Sequence, residues 1–142
     1  MSVFETFEAF ADIDELVDKL GDSDSGVRQI AVLELSESGD PAALPHLIGA
    51  LRDSDAEVRL QAAKGLEEYD EPEAAAALAA ALADENTDVA EAAAYSLSEF
   101  KNADNAESLI PFAENESAFV RQSVLRGLKG LRNEVKIGRA HV

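Results

Sequence analysis

The sequence predicts an all-α protein, an α-solenoid of four helical-hairpin repeats of 31 residues each. Val27, Val58, Val89 and Val120 are 31 residues apart each time, without insertion or deletion. A fixed period of that length marks a repeat architecture. The same register carries Ala31, Ala62, Ala93 and Val124, then Leu35, Leu66, Leu97 and Leu128; upstream it carries Leu16, Leu47, Leu78 and Leu109, then Leu20, Leu51, Leu82 and Ala113. Each repeat therefore holds two apolar stripes. No segment alternates apolar and polar residues as a half-buried strand would.

The elements follow in order. Phe4, Phe7 and Phe10 predict an N-terminal capping helix over 1–11 that covers the first repeat. Ile13, Leu16, Val17 and Leu20 sit at i, i+3, i+4 and i+7, and Leu44, Leu47, Ile48 and Leu51 repeat the pattern, which is one face of a helix. Val58, Ala62 and Leu66, with Tyr69 one turn on, give the second helix of a pair. Ser54 followed by Glu57 predicts a capping box at its start. Asp40-Pro41 and Glu71-Pro72 put proline where the next first helix begins, since its missing N–H would be unpaired there anyway. The predicted pairs are 12–21 with 26–38, 42–52 with 57–69, 73–83 with 88–100 and 104–114 with 119–131. One hairpin cannot bury its own apolar face, so the pairs must stack into one solenoid domain over 12–135.

Composition narrows the function. There is no cysteine, which removes disulfides, thiolate nucleophiles and Cys-ligated zinc. The net charge of -17 opposes binding to nucleic acid and to anionic membranes. Residues 1–118 carry 28 acids and 6 bases, whereas residues 119–142 carry 1 acid and 6 bases, so an acidic body ends in a basic segment able to steer an acidic partner. The start of the chain mixes acids with apolar residues and lacks a basic run leading into an apolar one, so a cytoplasmic protein without a secretory signal is expected.

The stretch SGDPAALPHLIGALRDSDAEVRLQAAKGL, Ser38 to Leu66, resembles the short HEAT-like repeats of the phycobilin lyase type. Their signature runs Gly-Asp-Pro, then apolar residues at helix spacing, then Leu-x-Asp-x-Asp-x-x-Val-Arg and Ala-x-x-x-Leu. The likeness spans roughly residues 12–131. It implies a structural ladder in which the loop acids Asp22, Asp53 and Asp84 cap the second helices and pair with Arg28, Arg59 and Arg121 across neighbouring repeats. The third repeat has Ala90 in place of arginine, so a gap is expected there, and the run Ala74 to Ala83 makes that repeat the expected loosest one.

At about 100° per residue, the columns beginning at 29, 33, 36 and 37 lie opposite the buried stripe of the second helices and should face solvent on the concave side. The column from 33 reads Leu33, Lys64, Tyr95, Arg126, and the column from 37 reads Glu37, Glu68, Glu99, Gly130. Changing chemistry on a regular frame suits a partner-binding surface with an acidic rail; a solvated face under no constraint reads equally well. Four stacked helices, each about 10 Å across, make a groove on the order of 40 Å long, enough for an interface of about 800 Å² per partner.

Catalysis finds little support, and no catalytic residue, metal ligand or cofactor is predicted. His46 stands alone in its column, and deoxyhypusine hydroxylases, which also use HEAT-like repeats, hold iron through His-Glu pairs that this sequence lacks. The acid pairs Glu67-Glu68 and Asp70-Glu71 read as solvated charge. DNA-alkylation glycosylases of similar build rely on basic grooves, which the acidic body does not offer. Residues 137–142, IGRAHV, fit no repeat position and are encodable by ATC GGA AGA GCA CAC GTC, a common sequencing adapter, so a non-native tail over 136–142 is expected. Val124, Leu125, Leu128 and Leu131 are expected to form an exposed apolar edge at the last repeat, open to end-to-end association. The leading expectation is a scaffold or adaptor that binds another protein. Two alternatives stand beside it. One is a subunit of a phycobilin lyase or isomerase with Lys64 and Arg126 on bilin propionates and Glu68 or Glu99 on the pyrrole nitrogens. The other is the terminal part of a larger regulatory repeat protein.

Overall fold

A computed structural model of the chain describes residues 12–140, with side chains to Arg132, so the capping helix expected over 1–11 lies outside the described residues. The first pair is α1 (Ile13–Lys19) and α2 (Ser25–Glu37). The second is α3 (Leu44–Ala50), entered through a 3-10 turn at Pro41–Ala43, and α4 (Ala56–Gly65), which tightens into a 3-10 turn over Leu66–Glu68. The third is α5 (Pro72–Ala81) and α6 (Thr87–Glu99), and the fourth is α7 (Ala106–Leu109) and α8 (Ala118–Ala140). Each second helix packs on the second helix of the next pair, α2 on α4, α4 on α6 and α6 on α8, while α3 touches α5 and α5 packs on α7. Two helical layers with no strand among the described residues make an all-α solenoid.

The repeat columns form the core. Leu16, Leu47, Leu78 and Leu109 are buried, as are Leu35, Leu66 and Leu97, with Val58, Val89 and Val120 beneath them. Val27 and Leu128, at the two ends of their columns, are half-buried. Ala74, Ala75, Ala79 and Ala81 of the alanine run are buried, whereas Ala76 and Ala77 are half-buried and Ala80 and Ala83 exposed. Turn chemistry closes the hairpins. Gly39 takes φ 65°, a left-handed conformation that only glycine adopts without strain, and Asp40 then accepts from the Ala42 N–H at 2.9 Å. The Tyr69 hydroxyl, buried on the inner side of the next turn, lies 3.4 Å from Leu35 O and 3.3 Å from Asp40 O, tying consecutive repeats together.

Four expectations need correction. The cap of α4 is Asp55, not Ser54: its Oδ1 accepts from the Glu57 and Val58 N–H groups at 2.8 and 3.4 Å. The fourth first helix is broken rather than continuous over 104–114. Pro111 has no N–H and crowds the residue before it, so α7 passes into a 3-10 turn at Ile110–Phe112. The last helix does not stop near 131 but runs to Ala140. Nor do the four residues expected at the edge of the last repeat form it, because Val124 and Leu131 are buried, Leu128 is half-buried and only Leu125 of the four is exposed, at 54%; the other exposed large apolar groups of that repeat are Ile110 and Phe119. Leu125 shares a column with Val32, Ala63 and Ala94, the side of each second helix that faces the following repeat.

Candidate partner-binding surface

The exposed side of the second helices carries the predicted columns. Leu33 and Tyr95 are exposed at 39% and 59%, unusual for large apolar groups, and Lys64 and Arg126 stand exposed in the same column. Glu37, Glu68 and Glu99 are all exposed, and Gly130 is half-buried. The column from 36 departs from expectation: Ser36 is 6% exposed, pressed against Gly65 of the neighbouring helix, with its hydroxyl donating to Leu33 O at 2.7 Å.

Side chains of unequal length on parallel helices leave clefts between them. One, of about 420 Å³, lies between α2 and α4 and is walled by Leu33, Glu37, Gln61, Lys64 and Glu68. A second, of about 660 Å³, lies between α4 and α6 and is walled by Leu60, Lys64, Glu67, Glu91 and Tyr95. Lys64 borders both. Leu60 and Glu91 belong to the column from 29, expected on this side but without a role, and Gln61 lies outside the expected columns. Neither column holds one chemistry throughout, Gln29, Leu60, Glu91 and Gln122 in one and Ile30, Gln61, Ala92 and Ser123 in the other, and the interhelical spacing brings these residues to a cleft.

The acid pairs are not simply solvated. Burial pushes the Glu67 carboxyl above the usual carboxylate range, and the charges of Glu99 and Glu68 push it the same way. Glu71 is likewise raised, first by a shared hydrogen bond with Glu73 and then by burial. Asp70 accepts from the Lys101 and Asn102 N–H groups at 2.7 and 3.2 Å and from Nδ2 of the buried Asn105 at 2.6 Å, which fastens the turn after α4 to the turn after α6. The signal for Asp70 was its place in the turn, one repeat before those donors.

The ladder residues lie along the loops between the two helices of each pair. Arg28 donates from Nε and Nη2 to Asp53 at 2.9 and 3.0 Å, and Arg59 in the same way to Asp84 at 2.9 and 3.2 Å. Each is a two-pronged guanidinium–carboxylate pair across one repeat. Asp22 pairs with no arginine side chain among the described residues, and Arg121 donates to the carbonyls of Asn115 and Glu116 instead. The loop acids do not cap the helices. Each accepts from the N–H two residues on, and it is that later residue, Asp24, Asp55 or Asn86, that caps.

Among the described residues no group of three or more His, Asp or Glu side chains could hold a metal ion, and no helix is long and apolar enough to cross a membrane. His46 is half-buried on α3, away from both clefts.

The sequence profile of HEAT repeats matches residues 11–57 and 45–129. The chain belongs to the HEAT-repeat family. Several solved structures share its architecture. Human deoxyhypusine hydroxylase in complex with glycerol is 25% identical, with a TM-score of 0.67 over 86% of this chain and 44% of its own. The complex of CpcE and CpcF of phycocyanin lyase from a Nostoc species is 24% identical, with a TM-score of 0.61 over 95% of this chain and 59% of that one. An engineered protein is 20% identical, with a TM-score of 0.58 over 89% and 66%. At 24% and 20% identity the likeness is one of fold. This HEAT-repeat chain spans between 44% and 66% of the length of those proteins. No curated protein sequence matches it.

Proposed function

We propose that this HEAT-repeat chain is a non-enzymatic adaptor that holds a partner protein along the exposed side of its second helices. The observation that carries the reading is Tyr95, a ring 59% exposed on the wall of a cleft of about 660 Å³ that Lys64, Glu67, Asp88 and Glu91 also line. Tyrosine, tryptophan and arginine are enriched among the few side chains that dominate binding energy in protein interfaces. Lys64, shared by two clefts, and Arg126 serve as further anchors, and Glu37, Glu68 and Glu99 select basic groups on the partner. The fold likeness to phycocyanin lyase subunits keeps a bilin-binding role as the second reading.

Photo-crosslinking groups placed at positions 95 and 64 should capture one defined partner, and the same group at Glu73, exposed on a first helix, should not. Tyr95→Ala and Arg126→Ala should each weaken that complex by about tenfold or more. Both side chains are exposed, so stability should move by no more than about 0.5 kcal/mol. Unchanged affinity would remove the reading. A visible absorbance shift on adding a bilin, lost in Lys64→Ala, would replace the adaptor with a lyase subunit.

A further inference from the structure

Three of the four second helices begin by seating an arginine on their own loop. Arg28 Nη1 donates to Asp22 O and Ser23 O at 2.8 and 3.2 Å, Arg59 Nη1 to Asp53 O at 2.9 Å, and Arg121 Nη1 to Asn115 O and Glu116 O, both at 2.8 Å. In the third repeat the side chain at this position is Ala90, which ends at Cβ. Asp84 O and Glu85 O occupy the same loop positions, and no side chain among the described residues donates to them. Across the gap the loop carboxylate is replaced as well: Asn115 stands where Asp53 and Asp84 stand, and its Oδ1 accepts from the Ser117 N–H at 2.9 Å as theirs do two residues on. The missing rung leaves a cleft of about 380 Å³ lined by Leu82, Asp84, Ala90, Glu91, Ser117 and Phe119, with the Phe119 ring 40% exposed.

We propose that this open rung is a seat for an arginine side chain presented by a partner protein. The guanidinium would donate to Asp84 O and Glu85 O as the chain's own arginines do to the equivalent carbonyls, with its stem over Ala90 and against Phe119. In the internal rungs Nη1 alone meets the loop carbonyls while Nε and Nη2 reach the side chain at the next loop, a division of donors along a planar fork that the single nitrogen of lysine cannot make. The exposed carboxylate of Glu91, which lines the cleft, supplies the complementary charge, since Asp84 is already held by Arg59 and Glu85 lies 3.9 Å from the same guanidinium. Asn115 in place of a carboxylate keeps the seat weaker than the internal rungs and so reversible. The seat lies at the loop edge of the solenoid and shares only Glu91 with the Tyr95 cleft, so it does not depend on that face being used.

The test is an NMR titration of the full chain with an acetyl-Gly-Arg-Gly-amide peptide against its lysine and citrulline counterparts. The arginine peptide should shift the amides of Asp84, Glu85, Ala90 and Asn115 saturably, the lysine peptide should bind several-fold more weakly, and citrulline should do nothing. Ala90→Arg, which fills the seat from within, should abolish the response and raise the melting temperature. Equal shifts with lysine, shifts spread over the whole acidic surface, or binding retained in Ala90→Arg would overturn the proposal. An Ala90→Arg chain that does not fold would overturn it as well, because the cleft would then not accept a guanidinium.

Discussion

Gly65→Ala will destabilise the chain by about 1–3 kcal/mol, even though alanine is the better helix former by about 1 kcal/mol. A Cβ placed on Gly65 would lie 2.5 Å from Ser36 Cβ and 3.0 Å from its Oγ. The nearer atom is a Cβ, which no rotamer change can move, and the Ser36 hydroxyl is anchored to Leu33 O at 2.7 Å. Relief requires α2 and α4 to part, which would reshape the cleft between Leu33 and Lys64 above them. Gly127 occupies the same repeat column, but there a Cβ would sit 3.5 Å from Leu109 Cδ1, an ordinary contact. Gly127→Ala should therefore be neutral or stabilising by up to about 1 kcal/mol, and Ser36→Gly should recover part of the Gly65→Ala loss. Urea midpoints at constant slope read all three. A Gly65→Ala chain as stable as the parent would mean that the two helices do not approach this closely.

The same position shows what the sequence can and cannot disclose. The large apolar columns were legible because burial on a helical solenoid demands the same side chain at the same phase in every repeat, as with Leu16, Leu47, Leu78 and Leu109. Column 34 reads Glu34, Gly65, Ser96, Gly127, and its only common property is small size after the first repeat. Yet Ser96 is buried and donates to Ala63 O at 2.7 Å, so this column governs how near the second helices come. Helix ends were less legible. Ser54 and Asp55 are both good caps, and only the backbone path decides between them. The exposure of Tyr95 and of the glutamate rail followed from helical phase alone, whereas the clefts and the holding of Asp70 depend on the neighbouring repeat, about 31 residues away, whose spacing no local pattern encodes.

Asp84→Ala will lower stability by about 2 kcal/mol at neutral pH, and the loss should fade in acid. The side chains of Asp84 and Arg59 are 10% and 11% exposed, so truncation leaves a largely buried guanidinium without its two-pronged acceptor and the Asn86 N–H without its partner at 2.8 Å. Burial works to raise the Asp84 carboxyl, but the hydrogen bonds from Arg59 and from the Asn86 N–H, with the Arg59 charge, outweigh it and hold the group below its ordinary 3.8. Asp53 is lowered in the same manner by Arg28. A carboxyl lowered on folding contributes stability that is complete above the unfolded value and is lost as pH falls through the folded one. The rung should thus hold at neutral pH and weaken only below 3.8. Glu67 and Glu71 act in the opposite sense: raised above 4.5, they favour folding progressively as pH falls through their folded values towards 4.5, and relief of the net charge of -17 adds to this. Stability should pass through a maximum in mild acid and then fall. Melting temperatures across that range should show the gap between the parent and Asp84→Asn closing below 3.8. A gap that stays constant would mean that the Arg59–Asp84 rung stabilises the solenoid by packing and hydrogen-bond geometry that asparagine also spoils, and that its charge contributes nothing.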